Sequence, residues 1–312
     1  MWEFANGTGQ TVRAAHLPER VVAYVRAGAA LHDLGVCPVA VYGSAHDADG
    51  LDPAKAGALP ASAVRYLGPG RELTERELRS VRPDLIVDVT YDDENAYALD
   101  DALARRLGVP LLALPVGGGP LTAIVERFGA LATALRPGRA DDGGGGEPAS
   151  RAGRAPGSGP VAGAGPAAGT GLVEAERALR AVTAGDPAPP RVLALSGAGP
   201  DQVHLARPEA WPELRRLAEL GVGLADPGPG GGISWLTTDW ETVARLRPDL
   251  LLVDNRTNAV GPGDLETGPA WRALAPDAPA EPWNPETPPS PRAYGDFFRA
   301  VAGALEALRA KR

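Results

Sequence analysis

Arginine and aromatic residues recur just after the buried strands that the sequence predicts. Arginine offers a planar fork of N–H donors and aromatic rings offer flat apolar faces, a combination that suits an anionic, catecholate or hydroxamate chelate. Ligands of open α/β sheets lie beyond the carboxyl ends of the strands. We therefore predict that a ligand contacts Tyr24, Arg26, Tyr42, Arg71, Thr90, Tyr91, Val116, Ser196, Trp235, Asn255, Arg256 and Trp283.

The two central arginines have a second interpretation, in which Arg26 and Arg256 pair with nearby carboxylates such as Asp33 or Asp254. Among the tryptophans, Trp235 belongs to the glycine-rich stretch GPGGGISW, which favours a loop that faces a ligand. The other tryptophans considered are typical of helix packing instead: Trp211 and Trp271.

Other kinds of chemistry find little support in the sequence. The four histidines have no HxH or HExxH spacing, so we expect neither a protein-bound metal nor any other cofactor, except for a metal that arrives inside a chelate. Neither lysine follows a GxxxxGK loop, which excludes a P-loop nucleotidase. The GAG at 197–199 lacks the third glycine of a dinucleotide loop, and Ser196 lacks the GxSxG elbow.

A sequence segment that occurs twice, which we call the repeated segment, shows how the sequence positions these residues. LTERELRSVRPDLIVDVT spans 73–90 and TTDWETVARLRPDLLLVDNR spans 237–256. Each copy predicts a capped helix that ends at Arg-Pro-Asp and leads directly into a strand that is apolar at every position, as in a parallel sheet covered on both faces. The repetition predicts two similar lobes.

Alternating strand and helix patterns extend over most of the chain. They predict an α/β fold of two doubly wound lobes, with the strand ends of both lobes facing a cleft. We assign residues 1–119 to the first lobe, 120–183 to a connecting helical segment and 184–312 to the second lobe. Within the connection, residues 136–171 are almost entirely Gly, Ala, Pro and polar residues, so we expect a disordered insertion there.

The ordered series of segments carries a family resemblance. ERVVAYVRAGAALHDLGVCPVAVYG, RPDLIVDV, LGVPLLALP, a connecting helix, RVLALSG and RPDLLLVD together resemble the iron-siderophore and cobalamin class of ABC-transporter substrate-binding proteins. The resemblance runs from about Trp2 to about Leu308, except for the glycine-rich stretch. It implies two α/β lobes joined by a long stiff helix, here near 172–183, with a ligand such as a ferric siderophore between them.

The same resemblance implies a membrane partner, because acidic residues on each lobe of such proteins dock on the arginines of an ABC permease. The candidates are Glu75, Glu77, Asp239 and Glu241. Alternatively, these are ordinary helix N-terminal carboxylates that complement the helix dipole.

Charge and segment composition limit the remaining possibilities. The net charge of −8 argues against nucleic acid as a partner, and the sequence contains no transmembrane segment. We expect a monomer that is extracytoplasmic if a leader has been removed and cytoplasmic if Met1 is the native start. The competing hypothesis is a cytoplasmic enzyme or ligand carrier on the same scaffold, with candidate residues Arg26, Tyr91, Asp92, Arg256 and His46.

Overall fold

The computed structural model describes residues 1–47, 50–137, 167–185, 188–266 and 268–311. Two α/β lobes are present, as the sequence predicts. The N-terminal lobe contains, in chain order, β1 (Trp2–Ala5), β2 (Thr11–Ala14), β3 (Val21–Tyr24), α1 (Val25–Asp33), β4 (Ala40–Gly43), α2 (Pro53–Ala56), β5 (Arg65–Pro69), α3 (Glu75–Val81), β6 (Leu85–Thr90), α4 (Asp101–Leu107), β7 (Leu111–Pro115) and α5 (Leu121–Ala134).

The C-terminal lobe follows after the undescribed residues 138–166. It contains α6 (Ala167–Thr183), β8 (Arg191–Gly197), β9 (Val203–Ala206), α7 (Pro212–Glu219), β10 (Gly223–Leu224), β11 (Trp235–Thr238), α8 (Trp240–Leu246), β12 (Leu250–Asp254), α9 (Pro262–Leu265), α10 (Pro269–Leu274), β13 (Ala280–Trp283) and α11 (Pro291–Ala310). Short 3-10 turns occupy Gly70–Glu72 and Pro208–Ala210.

The N-terminal lobe is a doubly wound sheet. Its five strands are all parallel, in the order β5-β4-β3-β6-β7. The order reverses between β3 and β6, and such a reversal opens a crevice at the carboxyl ends of the strands. The fold therefore directs the residues that follow β3 and β6 toward the other lobe.

The C-terminal sheet is mixed, which differs from the simple repeat that the sequence predicts. β8, β12, β13 and β10 are parallel, but β9 and β11 run antiparallel to their neighbours in the order β11-β9-β8-β12-β13. Trp235 is the first residue of β11, opposite Ala206, so our assignment of Trp235 to a loop was wrong. The glycines just before Trp235 obscured the strand because they break its apolar pattern.

The repeated segment forms the same structure in both lobes. Thr74 and Asp239 cap α3 and α8 by accepting hydrogen bonds from the backbone N–H groups of Glu77 and Thr242. Each helix then ends at an arginine in the left-handed region, with φ of 47° at Arg82 and 45° at Arg247. Proline follows at once in both copies, and proline cannot continue a helix.

The aspartate of each Arg-Pro-Asp joins its strand to the neighbouring strand. The Asp84 carboxylate accepts a hydrogen bond from the Arg20 backbone N–H at 2.8 Å, and the Asp249 carboxylate accepts one from the Arg191 backbone N–H at 2.7 Å. Because Arg20 and Arg191 stand at the starts of β3 and β8, the two aspartates set equivalent strand alignments in the two lobes.

A helix shared by both cores makes the connection between the lobes. Leu121 and Val125 of α5 pack in the core of the C-terminal lobe, whereas Phe128 and Leu131 pack in that of the N-terminal lobe. α6, which covers the predicted connector at 172–183, packs on α11 within the C-terminal lobe. The expected insertion at 136–171 lies mostly outside the described residues, but α6 begins at Ala167, so the insertion ends earlier than predicted.

Candidate functional site

The loop that follows β13 holds the lobes together. Residues 284–290, which we call the interlobe segment, are buried throughout between the C-terminal strand ends and helices α1 and α2 of the N-terminal lobe. Its hydrogen bonds to the N-terminal lobe run from Asn284 Nδ2 to the Ala54 carbonyl (2.6 Å), from Arg26 Nε to the Thr287 carbonyl (3.1 Å) and from Ser290 Oγ to Asp33 Oδ2 (2.6 Å). We call the boundary along this segment the seam.

Glu286 is the central charged group of the seam. Its Oε1 lies 2.8 Å from Lys55 Nζ and 2.9 Å from Arg256 Nη1, and its Oε2 accepts a short hydrogen bond from the Tyr24 hydroxyl. Burial alone would raise the pKa of Glu286, but the charge and hydrogen bond of Lys55, the Tyr24 hydroxyl and Arg256 lower it to about 2. The carboxylate is therefore ionised and links two cations from different lobes.

Lys55 is fully buried on α2 and also pairs with Asp47 of its own lobe. Asp52 caps α2 and positions Lys55, because its Oδ1 accepts a hydrogen bond from the Lys55 backbone N–H at 3.3 Å. The other oxygen, Oδ2, accepts from both the backbone N–H and the hydroxyl of Thr257, each at 3.0 Å. The cap of α2 is thus also a contact between the lobes.

Arg26 is buried, and its guanidinium is occupied by the protein itself. Besides the bond to the interlobe segment, Nη1 donates to the Tyr91 hydroxyl at 2.9 Å and Nη2 to the Tyr294 hydroxyl at 3.4 Å. The Arg26–Asp33 pair that the sequence suggested as an alternative does not form. Arg26 therefore shapes the seam rather than presenting a free fork to a ligand.

Arg256 forms the ion pair with Asp254 that the sequence suggested as an alternative to ligand binding. Its Nη2 lies 2.7 Å from Asp254 Oδ2. Its guanidinium reaches Glu286 as well, yet part of the side chain remains exposed. Asn255, just before it, is exposed and holds the strand end through its backbone N–H, which donates to the Trp283 carbonyl at 3.0 Å. These two residues form the polar C-terminal rim of the seam.

The N-terminal side of the seam is aromatic. Tyr91 is 43% exposed, and its ring meets that of Tyr97 edge to face at a centroid distance of 5.0 Å. Tyr97 in turn meets the ring of buried Tyr24 at 5.6 Å. Sequence reasoning missed Tyr97 because it lies in an irregular loop, where no periodicity marks the side chains that face inward.

The C-terminal side has an aromatic cluster of its own. Trp211, Trp235 and Trp283 lie in mutual contact, with ring centroids 5.0 Å, 5.6 Å and 5.7 Å apart. Trp283 is fully buried at the end of β13, while Trp211 and Trp235 are half-buried. Trp211 was expected to pack on a helix, but it belongs to this cluster; Trp271 does pack in the core, against Trp240.

Glu213 lies beneath this cluster and was not predicted from the sequence. Its Oε1 accepts a hydrogen bond from Trp283 Nε1 at 3.2 Å, and its Oε2 has no hydrogen-bond partner. Burial raises the pKa of Glu213 to about 7, although its own backbone N–H, Arg26 and the Trp283 indole act to lower it. A carboxyl group that titrates near neutral pH therefore lies close to the seam.

The remaining predicted ligand residues serve their own lobes. Tyr42 donates to Asp88 at 2.9 Å beneath the strand ends, and the Thr90 hydroxyl donates to Asp92 at 2.9 Å. Arg71 is exposed and bonds to the carbonyls of Ala96 and Tyr97. The other two are buried: Val116 and Ser196.

The candidates for an enzyme site come together only in part, since Arg26 donates to the Tyr91 hydroxyl whereas Asp92 and His46 have local partners. Asp92 accepts hydrogen bonds from Thr90, Glu94 and Asn95, which lower its pKa, and so it closes a turn. His46 is exposed, and its backbone N–H donates to the Ser44 hydroxyl. Within the described ranges, no group of three or more His, Cys, Asp or Glu side chains could hold a metal ion.

The acidic residues considered for permease docking lie at the start of α3 and α8, with local partners. Glu77 completes a capping box with Thr74, and Asp239 caps α8. The other two form ion pairs: Glu75 with Arg79 and Arg106, and Glu241 with Arg245. A docking role for these residues stays a prediction. Of the helices that the structure describes, none has the length and apolar character required to span a bilayer.

Comparison with known proteins identifies the fold. No protein-family model and no curated protein matches the sequence. Among solved structures, the chain is similar to DesE, a ferric-siderophore receptor protein from Streptomyces coelicolor, with 24% identity, a TM-score of 0.78 and coverage of 98% of both chains. It is also similar to the siderophore-binding protein FhuD from Vibrio cholerae, solved with Fe3+–Desferal bound (16% identity, TM-score 0.61, covering 93% of this chain and 98% of that one).

A third similar structure is the periplasmic heme-binding protein RhuT from Roseiflexus sp. RS-1 (17% identity, TM-score 0.59, covering 93% of this chain and 98% of that one). These likenesses extend over nearly the whole chain. The two-lobed α/β fold implied by the sequence resemblance is therefore confirmed.

Proposed function

We propose that this protein is a solute-binding protein of an ABC importer and that it holds a ferric siderophore or a related metal chelate in the seam between its lobes. The observation that carries the proposal is the likeness to DesE over 98% of both chains, because a fold shared from end to end includes both lobes and the boundary between them. The siderophore-binding protein solved with Fe3+–Desferal and the periplasmic heme-binding protein support the same class of ligand.

The composition of the seam supports this class of ligand on physical grounds. Tyr91 and Tyr97 offer partly exposed rings on one side, and Trp211 and Trp235 offer them on the other. Arg256 adds a cation that is already paired and held in place. Flat apolar surfaces around a few fixed polar groups are typical of small-molecule sites.

The interlobe segment favours capture with little movement of the lobes. It is buried and bonded to α1 and α2, and a large opening would expose the charges of Lys55 and Glu286 and break their ion pair. A ligand therefore enters at the rim beside Tyr91 and Asn255, and the lobes move only slightly around it.

The proposal also includes a location and a partner. A receptor for an importer works on the outer side of the cytoplasmic membrane and passes its ligand to a permease. Glu75, Glu77, Asp239 and Glu241 are the candidates for that contact, since they mark equivalent helix starts in the two lobes.

A thermal-shift screen tests the proposal. The panel consists of ferric hydroxamates, ferric catecholates, haem and corrinoids, each beside its metal-free form. A ligand at 100 times its Kd adds about 2.7 kcal/mol of stability, which raises the Tm of a chain of this size by about 5 °C. We expect one metal-loaded class to produce this rise and its metal-free form to produce less. No rise with any member of the panel would overturn the proposal.

A further inference from the structure

Arg26 carries a buried positive charge that no carboxylate contacts directly. Its hydrogen bonds go to the Thr287 carbonyl and to the hydroxyls of Tyr91 and Tyr294, and among the described residues it forms no ion pair. The other cations of the seam each pair with two carboxylates: Lys55 and Arg256. The charge of Arg26 therefore acts on whatever lies near it in the seam.

Glu213 carries the opposite charge with equally little direct compensation. It lies in the first turn of α7 and is 1% exposed. Its Oε1 accepts a hydrogen bond from the Trp283 indole, whereas Oε2 has no hydrogen-bond partner. A buried carboxylate that lacks a paired cation is costly to keep ionised. This geometry favours a group that gains and loses a proton easily.

The groups that face Glu213 come from four helices and strands. Arg26 approaches from α1, the Tyr294 hydroxyl from α11 and the Trp283 indole from β13, while Arg215 lies on α7 itself. Burial raises the pKa of Glu213 and outweighs its own backbone N–H, both arginines and the indole, which leaves the pKa at about 7. Tyr294 stays neutral, because burial raises its pKa as well. Glu213 therefore changes its charge across neutral pH.

The two charges lie one side chain behind the aromatic sides of the seam. Arg26 donates to the hydroxyl of Tyr91, whose ring is partly exposed at the rim. Glu213 accepts from Trp283, whose ring lies 5.7 Å from that of Trp235. A chelate between Tyr91 and Trp235 is thus separated from each charge by a single side chain. In a buried setting of low dielectric, charges act over such a separation.

We propose that Glu213 is a specificity-determining residue that selects the chelate by its charge, and that a proton on Glu213 shifts the preference. This inference rests on the proposed function and deepens it. Ionised Glu213 offsets the field of Arg26 and favours a cationic chelate. Protonated Glu213 leaves Arg26 uncompensated and favours an anionic chelate. By linkage, an anionic chelate promotes proton uptake at Glu213 and a cationic chelate promotes proton release.

Fluorescence titration with three probes tests the proposal: Fe3+–Desferal is cationic, whereas haem and ferric tricatecholate are anionic. The wild type is compared with Glu213→Gln, which is neutral at every pH and keeps an oxygen for the Trp283 indole. At pH 8 the wild type should bind an anionic probe at least about fivefold more weakly than the variant does, or a cationic probe at least about fivefold more tightly. At pH 6, where most of Glu213 is protonated, the two Kd values should converge.

The matched control is Glu209→Gln, which removes the same charge from an exposed residue just before α7. Its Kd should equal that of the wild type at both pH values, because solvent screens the charge of Glu209. Other groups that titrate in this range, such as Asp88, are present in all three proteins, so the difference between wild type and Glu213→Gln reports Glu213 alone.

The indole N–H of Trp283 supplies a readout that needs no ligand. Its NMR resonance, assigned by its absence from Trp283→Phe, should shift with a midpoint near pH 7 in the wild type and stay constant in Glu213→Gln. A resonance that does not titrate between pH 6 and pH 8, or equal Kd values for wild type and Glu213→Gln at pH 8, would overturn this inference while leaving the proposed function intact. A wild type that binds no chelate of the full panel would overturn both.

Discussion

Lys55 of the N-terminal lobe and Glu286 of the C-terminal lobe form an ion pair of 2.8 Å in which both side chains are buried. Burying two charges is costly, and their attraction offsets the cost only where further hydrogen bonds satisfy both groups. Asp47 supplies one for the lysine, and Tyr24 and Arg256 supply them for the carboxylate. The network therefore fixes how one lobe lies on the other.

Removing Lys55 should destabilise the protein strongly. Lys55→Met leaves the carboxylates of Asp47 and Glu286 buried near each other with one fewer cation, and breaking a buried pair in this way costs about 3–5 kcal/mol. Urea unfolding measures the loss. The control is Glu75→Gln, which breaks surface ion pairs and should cost less than about 1 kcal/mol. Equal small losses for both variants would show that the buried pair does not hold the lobes.

Glu286 should make the protein sensitive to acid. Its folded-state pKa of about 2 lies below the ordinary value of 4.5, so its stabilisation is complete above pH 4.5 and is lost as the pH falls toward 2. A depression of this size corresponds to about 3 kcal/mol. We expect the difference in unfolding free energy between wild type and Glu286→Gln to shrink steadily from pH 5 to pH 3. A constant difference would contradict the assignment.

Glu213 should make the protein more stable as the pH falls, which is the opposite of the effect of Glu286. Its folded-state pKa of about 7 lies above the ordinary value of 4.5, so the folded protein binds a proton more tightly and gains stability as the pH falls from about 7 to 4.5. Glu213→Gln carries a neutral group throughout and should remove this gain, up to about 3 kcal/mol. Chemical unfolding at pH 8 and pH 5 measures the unfolding free energies of both proteins. The value for the variant minus the value for the wild type should be larger at pH 8 than at pH 5.

The two arginines that end α3 and α8 should respond alike to substitution by glycine. Arg82 and Arg247 are exposed and adopt left-handed conformations, which cost a residue with a Cβ about 1–2 kcal/mol and cost glycine little. Arg82→Gly and Arg247→Gly should each stabilise the protein by about 1 kcal/mol, less the extra entropy of the unfolded glycine chain. Thermal unfolding of both singles and the double variant measures this, and unequal signs would contradict the equivalence of the two lobes.

Much of the fold follows from local sequence. The caps at Thr74 and Asp239, the breaks at Pro83 and Pro248 and the apolar strands after them all depend on neighbouring residues, and the sequence predicted each of them. β9 and β11 escaped prediction because they are four residues long, follow turn-rich or glycine-rich stretches and are stabilised by pairing with each other.

The site was harder to predict because its contacts join distant parts of the chain. Arg26 is 261 residues from Thr287, and Tyr24 is 262 residues from Glu286. No local pattern marks Asn284–Ser290 as buried, since its prolines and polar residues are typical of an exposed loop. The sequence therefore indicated which strand ends meet but not which partners Arg26, Tyr24 and Trp283 have within the protein.

The metal chelate that we propose lies in the seam between the lobes. The most direct test is the anomalous scattering of iron from crystals grown with the ferric chelate or haem that gives the largest thermal shift. We predict one iron peak between the two aromatic sides of the seam, flanked by Tyr91 and Trp235. An iron peak bound elsewhere on the protein, with the seam free of chelate in the same crystals, would contradict the claim.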